Sequence, residues 1–188
     1  MRIILASKSP RRRELLGKIA EEFEIITKET DENLPEGIHP REGVEILAVR
    51  KGAAVAADIE GEALIISSDT LVELGGVPLG KPADEDDALK ILMSLSGNTH
   101  NVHTGVAIHY RDRVFSGVDT SSVTFKKLSE ADAREYIATG EPMDKAGAYA
   151  IQGIGAKFVE KYEGEFDTIV GLGLKLTKKL IDEALGNE

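Results

Sequence analysis

The chain contains no cysteine and no tryptophan, and only 5% of its 188 residues are aromatic. Without cysteine it cannot form disulfides, use a thiolate as a nucleophile or build a cysteine-based zinc site. No apolar run is long enough to span a bilayer, and the N-terminus lacks the apolar stretch of a signal peptide. We therefore expect a cytoplasmic protein that acts away from membranes.

Basic residues are also scarce, because 23 Lys and Arg stand against 33 Asp and Glu, a formal net charge of −10. General nucleic-acid binding needs a broad basic surface, so this charge argues against it. Neither the Walker nor the Rossmann glycine pattern is present, which argues against an ATPase or a dehydrogenase. A small anion held by a local group of cations is compatible with an acidic chain, above all when a divalent metal bridges the two.

Strand-like and helix-like segments follow one another without a strict repeat or a flexible linker. The predicted strands are residues 2–6, 23–27, 63–68, 102–110, 114–125 and 157–162, and a hairpin is predicted over 71–79 around Gly75-Gly76. The predicted helices begin at Pro10 and cover residues 40–57, 84–96, 129–138 and 170–185. This order predicts a mixed α/β fold with several antiparallel pairs, in one domain over residues 1–188.

The segment between the first strand and the first helix carries an unusual charge. Ser9 is a favoured N-cap and Pro10 a favoured first helical residue. A helix start has partial positive charge and normally prefers Asp or Glu, yet three consecutive arginines follow here. These cations repel one another unless an anion binds, so the segment predicts a phosphate site; a solvated basic surface is the alternative. The candidate ligands are Ser7, Ser9, Arg11, Arg12 and Arg13.

Asp69 follows the predicted strand 63–68, at a kind of sheet edge where α/β proteins bind ligands. It could accept a proton from water, bind a divalent cation or cap the next turn. Lys81 follows the predicted hairpin, which we expect to bring it back beside Asp69. Lys51 lies on the apolar-flanked face of its helix and is either a third cation of the site or a side chain that extends to solvent.

Two acidic residues, Asp31 and Glu32, lie in the polar loop of residues 28–40. Mg²⁺ prefers one or two carboxylates together with phosphate oxygens, so both are candidate metal ligands, and a solvated loop is the alternative. The four histidines lack the spacing of metal ligands. His100 and His103 fall at a predicted helix-to-strand turn, and we interpret them as structural.

Short motifs spread along nearly the whole chain together resemble those of the Maf family of nucleoside triphosphate pyrophosphatases. Each motif alone is weak, but their combination is specific. They are ASKSPRR from Ala6, SDT from Ser68, LGKP from Leu79, LSG from Leu95, HTGV from His103 and KAGAYAIQG from Lys145. The resemblance implies an inosine-triphosphatase-like fold, with an elongated mixed β-sheet, flanking helices and two lobes around a nucleotide cleft.

The resemblance also implies a reaction, the hydrolysis of dTTP or UTP between the α and β phosphates, which yields the monophosphate and pyrophosphate. Asp69 matches the catalytic proton acceptor of the family. Arg12, Thr70 and Gln152 match its positions tied to base selection. We expect a divalent cation, Mg²⁺ or Mn²⁺, at Glu32 and Asp69, with the arginines, Lys51 and Lys81 neutralising the phosphates.

One departure from the family is Gly173, where a proline is usual, so the backbone before the last helix has more freedom. The resemblance further suggests a homodimer. Two other functions compete with the pyrophosphatase: a nucleotide-sensing regulator of cell division and septum formation that acts through a protein partner, and a phosphatase that releases orthophosphate from another metabolite.

Overall fold

The computed structural model describes residues 1–186, and the last two residues of the predicted domain lie outside the described residues. Within this range seven strands form one mixed sheet. The strands are β1 Arg2–Leu5, β2 Glu24–Ile25, β3 Ala63–Leu74, β4 Val77–Leu79, β5 Thr99–Tyr110, β6 Arg113–Phe125 and β7 Val159–Glu163. Their order is β2-β1-β3-β5-β6-β7, with β4 paired to β3.

Six α-helices and three short 3-10 helices accompany the sheet over the same residues. The α-helices are α1 Pro10–Leu16, α2 Pro40–Ala56, α3 Glu85–Leu95, α4 Glu130–Ile137, α5 Phe166–Val170 and α6 Leu174–Leu185. The 3-10 helices are Glu141–Asp144, Ala146–Ala148 and Ile154–Phe158. The predicted mixed α/β fold is confirmed.

Contacts between backbone segments divide the chain into two compact units. Among the described residues, the first unit contains 1–70, 104–119 and 171–186, and the second contains 71–103 and 120–170. The expected arrangement of two lobes around a nucleotide cleft stays a prediction.

In the first unit, β1 pairs in parallel with β2 on one side and with β3 on the other. The register with β3 runs from Arg2 opposite Ala63 to Leu5 opposite Ile66. Strand β1 ends where its apolar run gives way to Ser-Lys-Ser-Pro, because Pro10 begins a helix. The paired stretches of β1 and β3 therefore end at the same edge of the sheet.

Helix α2 packs closely on the sheet of the first unit at Gly52. A Cβ atom added there would lie 2.3 Å from His109 Nδ1 and 2.6 Å from Ser67 Oγ, so only glycine fits. The hydroxyl of Ser67 donates a hydrogen bond of 2.8 Å to the carbonyl of Ala48 on α2. These contacts fix the position of the neighbouring residue, Lys51, relative to β3.

The second unit contains a hydrophobic core in which Phe125 and Tyr136 are fully buried large side chains. The predicted hairpin joins β3 to β4, and Gly75 and Gly76 adopt φ angles of 60° and 86° in its turn. The helix predicted over 129–138 is α4, and Ser129 caps it reciprocally with the third helical residue, in a capping box.

Three expectations about local structure are wrong. Strand β3 does not end before Asp69 but runs through it to Leu74, because its last residues pair with β4. The helix predicted over 170–185 begins only at Leu174. Gly171 has a φ of 123°, which no helix accommodates, and it separates this helix from Val170, the last residue of α5. His100 and His103 lie inside β5, not at a turn.

Candidate functional site

The turn between β1 and α1 has the predicted capping geometry. Ser9 Oγ accepts the N–H of Arg12 at 3.5 Å, and Pro10 is the first helical residue, with no acidic residue in the first turn. The buried hydroxyl of Ser7 accepts the N–H of Ser9 at 3.2 Å. Because α1 has only seven residues, attraction of an anion to this turn depends on its side chains more than on the helix dipole.

The guanidinium of Arg12 is held by three partners in the first unit. Its Nε donates to the carbonyl of Gly171 at 2.9 Å, its Nη2 to Thr70 Oγ1 at 3.2 Å and its Nη1 to Ser7 Oγ at 3.5 Å. Burial lowers the pKa of Arg12, and the carboxylate of Asp69 opposes that shift. An arginine pKa begins so high that the group stays cationic at neutral pH. The protein therefore holds a shielded positive charge near Asp69.

Two neighbouring hydroxyls complete the support of Arg12. Thr70 Oγ1 lies 2.9 Å from Thr104 Oγ1, and Ser68 Oγ donates to the carbonyl of Gly171 at 3.0 Å. The sequence alone assigns no role to Ser68, Thr104 or Gly171. Ser68 and Thr104 lie inside the SDT and HTGV motifs, but only the folded chain shows that they lie around one guanidinium.

The three arginines of α1 do not act as one cluster. Arg11 is half-buried, and its charge lowers the pKa of Arg12 by repulsion, after the larger effect of burial. Arg13 is exposed and lines a surface groove together with Lys8, Glu14 and two further glutamates. Arg12 is thus the arginine that the fold fixes, and phosphate binding by Arg11, Arg12 and Arg13 stays a prediction.

Asp69 lies within β3, and its carboxylate forms an ion pair with Lys51 of α2. The Asp69 and Lys51 side chains are 11% and 20% exposed, so solvent screens this pair only weakly. Lys51 Nζ also contacts Glu32 Oε1 at 2.7 Å. The structure therefore brings together the predicted residues Glu32, Lys51 and Asp69, and Lys51 does not simply extend to solvent.

The donor set at Lys51 is compatible with a magnesium or manganese ion. Glu32 and Asp69 supply two carboxylates that already share one cationic group, and Mg²⁺ needs few protein ligands when phosphate oxygens and water complete its shell. Within residues 1–186, no group of three or more His, Asp or Glu side chains could hold a metal on its own. Asp31 instead stabilises its own loop by accepting hydrogen bonds from the backbone and side chain of Asn33.

Lys81 and Gln152 belong to the second unit, and both are exposed. Lys81 lies two residues beyond β4, in a segment fixed by a 3.1 Å hydrogen bond from Gly147 N–H to the carbonyl of Gly80. Gln152 lies in the turn between two 3-10 helices. Substrate contacts by these two residues stay predictions.

The buried histidines have structural surroundings, as expected. His100 Nε2 lies 2.8 Å from the hydroxyl of Tyr149, and its ring meets Phe125 edge-on at 5.2 Å. His103 lies between Glu73 Oε2 at 3.1 Å and Thr120 Oγ1 at 2.8 Å. Both imidazoles thus hold strand β5 against its neighbours within the second unit.

Comparison with known proteins gives concordant results. The family described as Maf-like protein matches residues 2–184. A dTTP/UTP pyrophosphatase of Bacillus velezensis is 46% identical and covers 97% of this chain and 96% of its own length. The dTTP/UTP pyrophosphatase of Pelotomaculum thermopropionicum is 48% identical over 92% and 91%, and that of Vibrio cholerae is 43% identical over 96% of both chains.

Comparison of this chain with solved structures shows similarity of the fold alone. The Ham1 protein of Staphylococcus aureus aligns over 99% of this chain and 95% of its own with a TM-score of 0.52, at 15% sequence identity. None of the helices within residues 1–186 combines the length and the apolar character that crossing a membrane requires.

Proposed function

The chain belongs to the Maf family, and on that premise we propose that it hydrolyses dTTP and UTP to the nucleoside monophosphate and pyrophosphate. The relatives named as dTTP/UTP pyrophosphatases match over nearly their whole length. The observation that carries the proposal is the placement of Asp69 beside Lys51 and Arg12 in one unit.

The cations of the first unit suit a triphosphate. A nucleoside triphosphate carries about four negative charges at neutral pH, and positioning with charge neutralisation is most of what phosphoryl chemistry needs. Three partners among residues 1–186 hold the guanidinium of Arg12, and they use only three of its five N–H donors. The other two N–H groups can therefore bind phosphate oxygens without loss of the supporting contacts.

Asp69 would accept the proton of the attacking water. In this step the water oxygen forms a bond to the α-phosphorus, the bond from that phosphorus to the bridging oxygen breaks, and pyrophosphate leaves. A general base must be an ionised carboxylate, and the ammonium of Lys51 lies against this one. Lys51 would hold the carboxylate in place through this contact and stabilise the negative charge of the phosphates.

A divalent cation would be held by Glu32 and Asp69, the two carboxylates that share Lys51. Bound there, Mg²⁺ or Mn²⁺ would neutralise phosphate charge and acidify water. Because the carboxylate of Asp69 has two oxygens, it can bind this cation through one of them and take the proton through the other.

Base selection would involve Arg12, Thr70 and Gln152. Arg12 donates to the hydroxyl of Thr70, so a substitution at either position disturbs the other. The amide of Gln152 offers both a donor and an acceptor, which suits the edge of a uracil or thymine base. Contact of Lys81 with the phosphates, a homodimeric state and a cytoplasmic location are further predictions.

A screen of nucleoside triphosphates with Mg²⁺ tests the function. We expect pyrophosphate release from dTTP and UTP at rates well above those for purine nucleotides. Orthophosphate as the product would instead indicate a phosphatase. Absence of hydrolysis with every nucleotide, in protein that still binds dTTP, would favour a nucleotide-sensing regulator.

A further inference from the structure

We propose that Glu141 and Tyr136 are positioning residues for Gln152. The inference rests on the proposed function, in which Gln152 selects the base. The three residues lie in the second unit, and the turn from Ala150 to Gly155 connects them.

The carboxylate of Glu141 holds one end of this turn. Its Oε1 accepts the N–H of Ile154 at 2.9 Å, and its Oε2 accepts the N–H of Gly155 at 3.0 Å. The hydroxyl of Tyr136 donates to the same Oε2 at 2.6 Å. Three donors thus meet one carboxylate, so Glu141 ties the backbone at residues 154 and 155 to the side chain of Tyr136.

Tyr136 holds the other end of the turn. Its hydroxyl accepts the N–H of Ala150 at 3.2 Å while donating to Glu141. The side chain is fully buried on α4, and its ring packs edge-on against Phe158 with centroids 5.1 Å apart. The core of the second unit therefore fixes Tyr136, and Tyr136 fixes the start of the turn.

Two glycines allow the turn to approach these side chains. A Cβ atom at position 153 would lie 2.1 Å from Glu141 Oε1, and one at position 155 would lie 2.6 Å from the hydroxyl oxygen of Tyr136. Any side chain at Gly153 or Gly155 would push the turn away. Gln152 lies between the two held ends and is exposed, so its backbone is fixed while its amide remains available to a ligand.

The charge of Glu141 is part of this arrangement. Burial raises the pKa of its carboxyl, but the hydrogen bonds from Tyr136, Ile154 and Gly155 outweigh that effect and keep the pKa below its ordinary value. At neutral pH the carboxylate is therefore ionised and only accepts hydrogen bonds. A glutamine at position 141 would present an NH₂ group to at least one of these donors and lose that bond.

The experiment compares Glu141→Gln and Tyr136→Phe with Glu135→Gln, a matched control on the exposed face of α4. Each change is made in the wild type and in a Gln152→Ala background. We measure kcat/KM for dTTP and dCTP, well below the unfolding temperature of each variant. We expect Glu141→Gln to reduce the dTTP to dCTP ratio by about 5-fold or more in the wild type and to leave it unchanged in the Gln152→Ala background.

Hydrogen–deuterium exchange of the peptide covering residues 150–155 gives a readout that does not need activity. We expect faster exchange in Glu141→Gln and Tyr136→Phe than in the control. If exchange is unchanged, or if the ratio falls equally in both backgrounds, the inference is wrong although the enzyme is active. If Glu141→Gln fails to fold, Tyr136→Phe decides the question alone.

Failure of the proposed function would look different. A wild-type protein that releases pyrophosphate from no nucleotide would overturn that function, and with it base selection by Gln152.

Discussion

Lys51 of α2 forms an ion pair with Asp69 of β3, eighteen residues further along the chain. The same ammonium contacts Glu32, so one cation lies against both carboxylates that we assign to a metal. Two carboxylates this close repel each other, and Lys51 removes that repulsion when no other cation is bound. Lys51 therefore keeps the site ready for a divalent ion and a polyanion.

Replacement of Asp69 by asparagine is expected to abolish most of the activity and leave the fold intact. The amide is nearly isosteric with the carboxylate but cannot accept the proton of the attacking water. We expect kcat for dTTP to fall on the order of 10²-fold or more. The control is Asp31→Asn. Within residues 1–186 the hydrogen bonds of the Asp31 carboxylate come from Asn33 in the same loop. Turnover near the wild-type value would remove Asp69 from the proton-transfer role.

Replacement of Arg12 by lysine is expected to weaken substrate binding, although lysine keeps the positive charge at this position. An ammonium cannot donate to Gly171, Thr70 and Ser7 in the planar geometry that Arg12 uses and also bind phosphate. We expect KM for dTTP to rise about 10-fold, as for the loss of one charge-assisted hydrogen bond. The matched control is Arg13→Lys at an exposed position. Equal effects of both changes would mean that only the total charge of α1 matters.

The sequence predicted the local structure better than the long-range contacts. The N-cap at Ser9 and the hairpin at Gly75-Gly76 depend on neighbouring residues, so their signals are local. The end of β3 was wrong because a strand ends where its partners end, which no local pattern encodes. Ser68 and Thr104 were missed for a similar reason: hydroxyl residues are common, and their partners lie more than thirty residues away.

Stability is expected to fall in mild acid because of His100. Burial lowers the pKa of this imidazole from 6.5 to about 4 in the folded state. Between these two pH values the unfolded chain binds the proton and the folded chain does not, so the free energy of unfolding decreases as the pH falls. The loss amounts to about 3 kcal/mol across this window, with no contribution above it.

Urea unfolding of the wild type and of His100→Gln, at several pH values between 7.5 and 4, tests this effect. Glutamine keeps a polar partner for Tyr149 but does not titrate in this range. We expect a shallower decline of the free energy of unfolding with pH in the variant. Some decline should remain, because burial also lowers the pKa of His109. Identical slopes would show that His100 is protonated equally in both states.

Replacement of Gly52 by alanine is expected to destabilise the protein. The added methyl group would lie 2.3 Å from His109 Nδ1, so α2 must move away from the sheet. Overpacking of this kind costs about 1–3 kcal/mol, and the movement would also displace Lys51 from Asp69. We expect a lower unfolding temperature together with a lower kcat. Gly17→Ala, where the nearest atom would be 3.4 Å away, is the matched control and should be tolerated. A stable and fully active Gly52→Ala would contradict this close packing.

Replacement of Gly173 by proline is expected to stabilise the protein without loss of activity. Gly173 has a φ of −65°, the value that proline imposes, and its N–H donates to no partner among residues 1–186. Its carbonyl, which accepts from Thr177 at 2.9 Å, is kept. A compatible proline stabilises by about 0.4–1 kcal/mol, mainly by restricting the unfolded chain.

Gly171→Ala is a control in which the opposite effect is expected, because a φ of 123° strains any side chain. This change would also disturb the carbonyl that accepts a hydrogen bond from Arg12. Thermal unfolding should therefore separate the two variants in opposite directions. A destabilised Gly173→Pro would mean that this segment needs the freedom of glycine, and that the departure from the proline usual in the family is functional.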